Sequence, residues 1–594
     1  MMTDPIYEGS SQGTSEEEES PVLSANIQKK PARRCLKRRK PIAVESDSAE
    51  SQVVTSESDA STSEGKRIKL AAQAWKTRPP LSRSKPSASK PSAPTVDDES
   101  SMQGTSNSSD SEAETPKPAS SGLLDYCSWM VDRLSPEERA SAAANWWQTF
   151  AEFCAGMGTG TICFEGLRRA MARHDLKVEA TCACMTEAVK WKAKALKELH
   201  DPLDAAIFAG CLNHQAPPCH IFTRTGDLNN TVVMKDFLDE VVVEKPTFHL
   251  LLQGIVCIDI SGLSSTPRSV MDVAGESGQS LREMVEYLKN LSFADRPECI
   301  ILECVLRLSQ KRTKGLPQPE VGTELVTKEL RTFGYVGSWE TQDALKAYLP
   351  QSRKRTWGIY LKVRMCGDNP LDGEKKRRED VTRAFSIVKR LRVPKHEPLG
   401  NVLSRVDPEY GYGIINPKSD GETQGNPNTN MDWTKKRQFQ KSMTRLGMER
   451  KDLLASEALT AFWKESGSDS LMTLNCRRHS LMKLASLKKN GKLPDWREEV
   501  LALNVDESAY RQGVGITHFT CVQPSRIHVL SLNGKLVKAD GKVCLAMQGI
   551  QSKELDAFPS LSKRTSKQQQ DLAGNAFTAN ICAACILAAA VVAG

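Results

Sequence analysis

The sequence is poor in the features that mark metal-built, secreted or membrane-spanning proteins. It holds one C-x-x-C, Cys582 and Cys585, inside an alanine-rich helical run, and one C-x-C, Cys182 and Cys184. With no second pair at matching spacing and no clustered histidines, no structural zinc site or other metal is expected from this pattern. No signal peptide opens the chain, so its 17 cysteines are expected as reduced, intracellular thiols. The C-terminal apolar run from Ile581 is 14 residues long. A membrane-spanning helix needs about 20, so a buried core helix is expected there and no membrane contact. No internal repeat is found. Charge of one sign is also scarce: 81 basic against 73 acidic side chains leave a net +8, which permits nucleic-acid binding without demanding it.

What is present divides the 594 residues into unequal parts. Residues 1–120 contain 24 serines and only two aromatics, Tyr7 and Trp75, with charge in blocks: EEEE at 16–19 and KKPARRCLKRRK at 29–40. Such a segment cannot bury enough apolar surface to offset its chain entropy and is expected to be disordered. Its basic block resembles a nuclear import signal, which implies an import receptor as partner and a nuclear location. Order begins near Leu123, with a helix capped at Ser135-Pro136 leading into a first strand. Strands and helices then alternate to about residue 365, the pattern of an α/β domain with a mostly parallel sheet flanked by helices. Residues 366–515 are polar and poor in strand signals. The window 361–500 carries 28 basic and 19 acidic side chains, an excess of +9 that exceeds the whole-chain net charge. This segment is expected to be an inserted basic domain, its Trp433 and Trp463 core residues rather than base-stacking platforms. Apolar character returns over 516–594.

Two apolar strands carry the chemistry. HLLLQGIVCIDIS brings Cys257 to its end, and CIILECV, 46 residues on, brings Glu303. A thiol and a carboxyl at the carboxyl ends of two strands suit a nucleophile with an acid partner, as attack on a cytosine ring requires. FCAGMGTGTICFEGLRRA, 153–170, reads as strand, glycine turn and amphipathic helix. Gly156, Gly158 and Gly160 permit positive φ and close approach, and the helix start offers free N–H groups. Cys154, Ala155, Gly156 and Gly158 are thus candidates to hold the amino-acid or phosphate end of a nucleotide-like cofactor. A second strand, VEATCAC, is expected to end before Met185-Thr186-Glu187, making Glu187 a candidate for ribose hydroxyls. Asp227, in IFTRTGDL, is a candidate beside an adenine.

These pieces stand in an order that resembles the cytosine-5 DNA methyltransferases. FCAGMGTG is similar to that family's glycine-rich donor loop and VCIDIS to its proline-cysteine motif. LECV is similar to its glutamate-asparagine-valine motif, and QSRKR, with Gln351, Arg353 and Arg355, to its glutamine-x-arginine-x-arginine motif. IHVLSLNGKLVKADGKVCLAMQGI, 527–550, resembles the segment before its final motif. DLAGNAFTANICAA resembles that final motif, whose helix would bring Asn575 back to complete the donor pocket. The resemblance covers about 147–365 and 516–590, and the basic segment 366–515 stands where the family places target recognition. It implies a class I methyltransferase-like fold, S-adenosyl-L-methionine as cofactor and duplex DNA with a flipped cytosine as partner. It also implies Cys257 as nucleophile, Glu303 against the base, and Arg353 and Arg355 as the positive field. Two positions depart from the pattern: Val256 stands for the proline and Cys304 for the asparagine. They leave two alternatives open, a non-catalytic nuclear DNA-binding protein on a methyltransferase scaffold and an RNA cytosine methyltransferase.

Overall fold

The computed structural model describes residues 117–200, 219–406 and 431–594, apart from short breaks within these spans. The expected disorder of the N-terminal tail and its import-like block lie outside the described residues, save for its last few. Ser120 and Ser121 are already buried.

Seven strands form the central sheet: β1 (Thr149–Phe153), β2 (Thr181–Thr186), β3 (His220–Phe222), β4 (Leu250–Gly254), β5 (Cys299–Val305), β6 (Tyr335–Asp343) and β7 (Lys354–Lys362). Their order is β3-β2-β1-β4-β5-β7-β6. The first five run parallel, and β7 lies antiparallel between β5 and β6. This is the order of a class I methyltransferase sheet, as expected. Strands buried on both faces read as continuous apolar runs, as CIILECV does. The chain reverses direction across the sheet between β1 and β4, and ligands of open α/β sheets bind at the carboxyl ends flanking such a reversal.

The flanking helices are α1 (Leu123–Asp132), α2 (Pro136–Ala144), α3 (Thr159–Ala172), α4 (Lys190–Leu199), α5 (Glu276–Lys289), α6 (Gly322–Thr332), α7 (Pro370–Arg390) and α8 (Leu399–Val406). The single helix expected before β1 is two helices. Ser135 and Glu138 form a reciprocal capping box with Pro136 at the first turn, which restarts the helix after a break at Arg133–Leu134. The C-terminal run forms α13 (Ala579–Val592), reached through α11 (Gly541–Ala546) and α12 (Ser566–Asn575). Every residue of α13 is buried, and it packs against α1, α2, α3 and α7. An apolar surface on all sides is what a helix enclosed by others requires. No single described helix is long and apolar enough to cross a membrane.

The segment expected as one basic insert, 366–515, does not behave as one unit. In α7, Val381, Ala384, Phe385 and Val388 join the main core, as do Val402 and Leu403 of α8. A separate small core begins at Trp433 and includes Phe439 on α9 (Arg437–Arg445), Leu481 and Leu484 on α10 (Leu474–Lys489), and Leu501, Leu503 and Val529. Its sheet, β9-β8-β10-β11, joins β8 (Leu501–Asn504) and β9 (Val514–Gly515) to β10 (His528–Leu532) and β11 (Lys535–Lys538). The expected boundary at 515 therefore cuts through a sheet. Trp433 is buried and Trp463 packs against the same small core.

Candidate active site

β4 ends at Gly254, three residues before Cys257, so the thiol stands on a turn beyond the strand rather than on it. The turn is closed by Ile260 and Ser261 N–H groups donating to the Cys257 carbonyl at 3.1 and 2.7 Å. Asp259 holds the next segment: its carboxylate accepts from Ser277 N at 2.9 Å, and Ser277 Oγ accepts from Asp259 N at 3.2 Å. Neighbouring β5 lies in register, Gly254 opposite Glu303, and Ile255 N donates to Glu303 O at 2.9 Å. The Cys304 thiol, at the family's asparagine position, lies 3.8 Å from Ile255 O and so still braces the chain just ahead of Val256.

Glu303 is 9% exposed and its Oε1 lies 3.1 Å from Arg355 Nε. Burial pushes its carboxyl up, and Arg355 and Arg353 pull it down, with a net rise. The half-buried Cys257 thiol is also pushed up, by burial first and then by the Glu303 charge, against the opposing pull of Arg355 and Arg353. The four residues thus share one electrostatic neighbourhood. They differ in what they can do. Arg355 pairs with Glu303, whereas Arg353 is 3% exposed and donates to Val522 O at 3.0 Å and Ala576 O at 2.9 Å. Expected as part of the positive field around Cys257, Arg353 is fixed in place by these two main-chain bonds. Its charge is felt at Cys257 and Glu303, and its bonds tie the chain just ahead of β7 to the C-terminal return.

Gln351 does similar work. Its Nε2 donates to Met547 O at 2.6 Å and its Oε1 accepts from Val522 N at 3.0 Å. Cys521, which the sequence reading missed, lies 3.8 Å from Arg353 Nη1 and 3.7 Å from Arg355 Nη2. Nothing in its local sequence marks it; only contacts across some 170 residues place it there.

The glycine turn occupies the end of β1. Cys154, Gly156 and Gly158 take φ of 56°, 62° and 76°, a region open mainly to glycine. Cys154 N donates to Thr186 Oγ1 at 3.0 Å and Ala155 N to Thr186 O at 2.9 Å. The Cys154 thiol is pushed up to about 12 by burial, then by the charges of Glu187 and Glu283. The free N–H groups expected here are partly taken. Gly156 N donates to Glu187 Oε2 at 3.0 Å, and Gly160 N to Glu152 Oε2 at 2.9 Å. Glu152, not anticipated from sequence, is fully buried in β1 with Oε1 unpartnered, and burial pushes it up to about 8.

The other candidates are placed as follows. β2 runs through Thr186 rather than stopping before Met185, because Met185 and Thr186 pair with both β1 and β3. Glu187 therefore sits directly at its end, both oxygens occupied by Gly156 N and Val189 N. Asp227 Oδ2 accepts from Thr223 Oγ1 at 2.8 Å and Arg224 N at 3.0 Å, holding its own short turn at the end of β3. Asn575 is exposed, and its side-chain amide donates back to Asp571 O at 2.9 Å. Only its main chain approaches the glycine turn: a Cβ on Gly156 would stand 3.3 Å from Asn575 O. Just beyond, Phe577 packs at 5.7 Å from Trp357 and would meet a Cβ on Gly254 at 3.1 Å. The return of α12 to the ends of β1 and β4 is thus built from main chain and Phe577 rather than from the Asn575 amide.

No protein-family model matches the chain. A curated relative, DNA (cytosine-5-)-methyltransferase DMT5 of Cryptococcus neoformans var. grubii, is 26% identical over 361 residues. That match takes in 58% of this chain and 13% of the relative, so the chain spans a small part of that protein's length. Among solved structures, S. pombe Dnmt2 methyltransferase is similar at TM-score 0.35 and 12% identity, over 74% of this chain and 97% of that one. The Entamoeba histolytica methyltransferase EhMeth is similar at TM-score 0.33 and 12% identity, over 73% and 95%. The fold assignment rests on the strand order. With that order, the motif sequence along it and the curated relative taken together, the chain is similar to the cytosine-5 DNA methyltransferases.

Proposed function

We propose that this chain transfers a methyl group to carbon 5 of cytosine in DNA, through a covalent adduct on Cys257. The observation that carries the reading is the shared neighbourhood of Cys257, Glu303 and Arg355 at the ends of β4 and β5, beside the glycine turn of β1. Carbon 5 of cytosine is a weak nucleophile. Addition of a thiolate at carbon 6 makes the ring an enamine and raises electron density at carbon 5. The Cys257 proton must leave as the bond forms, because burial and Glu303 favour the neutral thiol. Arg355 and Arg353 oppose that and favour the thiolate. The raised carboxyl of Glu303 suits it to hydrogen-bond ring nitrogen 3 and the amino group, stabilising the ring as the sulfur adds. Loss of the carbon-5 proton then expels the cysteine.

S-adenosyl-L-methionine, when bound, would supply an electrophilic methyl on a cationic sulfur. The turn Cys154–Gly158 fits such a donor because carboxylates surround it: Glu187, Glu283 and Glu152, the last with an unpartnered buried oxygen. In this reading the turn and Glu187 hold the donor, Asp227 lies at its far end, and the Asn575 main chain closes over it.

A base inside a duplex is out of reach and must be flipped, at roughly a few kcal/mol. Exposed Lys436, Arg437 and Lys441, on and beside α9, suit phosphate contacts that offset this cost. Nuclear import through the basic block at 29–40 belongs to the same proposal. Methyl transfer from labelled donor to duplex DNA and to transfer RNA, with wild type and Cys257→Ser, tests it. Label in DNA that vanishes in the variant supports the reading; label in transfer RNA alone, or none from folded donor-bound protein, overturns it.

A further inference from the structure

The second βαβ unit of the sheet carries a cluster that the methyl-transfer chemistry does not use. Cys182 lies near the start of β2, His200 immediately follows α4, and Cys219 immediately precedes β3. The two sulfurs and an imidazole nitrogen all lie within 4.8 Å of one another. Cys182 and Cys219 are 5% and 7% exposed. Among the described residues no other group of three histidine, cysteine or acidic side chains gathers ligand atoms in this way. The local sequence hides it, because the three positions are 18 and 19 residues apart on three different elements.

We propose that Cys182, His200 and Cys219 bind a divalent ion of the zinc class, which pins β2, α4 and β3 together. The donor set is right for it. Thiolate and imidazole are the ligands of structural zinc, at about 2.3 and 2.0 Å, and a tetrahedral ion brings two such sulfurs to roughly 3.8 Å apart. The cluster needs to contract by about 1 Å or less to reach that spacing. Charge is right as well. Two thiols release two protons to solvent as the ion binds, and a dication with two thiolates and a neutral imidazole carries no net charge, which suits a largely buried site.

The second shell is present too. His200 Nε2 lies 3.2 Å from Thr161 Oγ1 on α3. A metal-bound histidine characteristically bonds a protein oxygen through its other nitrogen, which leaves Nδ1 for the ion. The fourth position of a tetrahedral site falls to solvent or another side chain. The consequence reaches the glycine turn. β2 ends at Thr186, next to Glu187, which fixes Gly156, and Thr161 belongs to the first turn of α3. The ion therefore stiffens the edge of the sheet from which the proposed donor site is built, though its binding does not depend on the methyltransferase reading.

The test uses the full chain, purified without chelator. Elemental analysis is followed by chelation and by titration with cobalt(II), whose thiolate charge-transfer absorbance reports sulfur ligation. Wild type and the distant control Cys476→Ala are expected to retain about one equivalent of metal, to develop the cobalt band and to lose thermal stability on chelation. Cys182→Ala and Cys219→Ala are expected to lose all three properties. Should either variant fail to fold, His200→Gln and the wild-type cobalt spectrum decide the matter. A wild-type chain with no metal and no thiolate band overturns the proposal, as does a full band in folded cluster variants. A Cys182–Cys219 disulfide found by non-reducing peptide mapping would overturn it too.

Discussion

Arg353→Ala isolates what holds the C-terminal return against the central sheet. The guanidinium is almost wholly buried and makes two bonds to main-chain carbonyls, Val522 O and Ala576 O, from segments 169 and 223 residues away. A hydrogen bond from a charged group contributes about 1.5–3 kcal/mol, and a buried carbonyl left without a partner costs about 1–3 kcal/mol. Gln351 still tethers Val522, so the two losses do not simply add. About 3–5 kcal/mol of local stability is the expected loss. Lysine at 353 can reach one carbonyl at most and should recover about half of that. Native-state hydrogen exchange read by mass spectrometry is the assay, because global unfolding of a chain this long need not be two-state. Amides at 519–522 and 576–580 should exchange roughly two to four decades faster, at about 1.4 kcal/mol per decade, while those of β1 and β4 stay protected. Unchanged protection at both segments, with methyl transfer abolished, would refute the clamp and put Arg353 on the substrate.

Three further outcomes are expected. Alkylation of the Cys257 thiol should rise with pH through a value above that of a free thiol; Glu303→Gln should move that value down and Arg355→Ala should move it up, and profiles unmoved by both would deny the shared neighbourhood. Glu152, at about 8 when folded, binds its proton more tightly in the native state than in the unfolded one. Stability from this group is therefore full below about 4.5 and is lost as pH rises toward 8, by on the order of a few kcal/mol. Glu152→Gln should flatten the decline in denaturant midpoint between pH 5 and 8, and an equally steep decline in the variant would show another group to be responsible. In Gly158→Ala, at φ 76°, a Cβ stands 2.7 Å from Leu199 Cδ2 and 3.0 Å from Leu196 Cδ2. Strain of about 1–3 kcal/mol at the turn should weaken donor binding measured by calorimetry, and wild-type affinity would show the turn to be remote from the donor.

The positions of Cys257 and Glu303 were legible because apolar strand runs announce themselves: Glu303 lies within β5, and Cys257 follows the end of β4 by three residues. The misplaced end of β2 shows the limit of that reasoning. The strand was expected to end before Met185, yet the Thr186 hydroxyl and carbonyl are bonded to the glycine turn, and pairing continues through Thr186. Glu187 directly follows β2 and Asn575 ends α12, but their side chains serve their own surroundings, which no local pattern reveals. The roles of Arg353 and Cys521 depend on contacts between positions 166 to 223 residues apart. The boundary at 515 failed for the same reason: β8 looks like an isolated apolar tetrapeptide until β10 pairs with it. Basic composition over 361–500 blended parts that belong to two different hydrophobic cores, because charge density reports surface and says nothing of which core a helix joins.

The most direct measurement is a covalent trap. Duplex DNA bearing 5-fluorocytosine, incubated with the chain and S-adenosyl-L-methionine, cannot lose the carbon-5 substituent that would free the enzyme. A denaturation-resistant adduct whose tryptic peptide carries the modified base on Cys257 is the result expected. Folded, donor-bound protein that yields no adduct, or one attached to a different cysteine, contradicts the assignment of Cys257 as nucleophile.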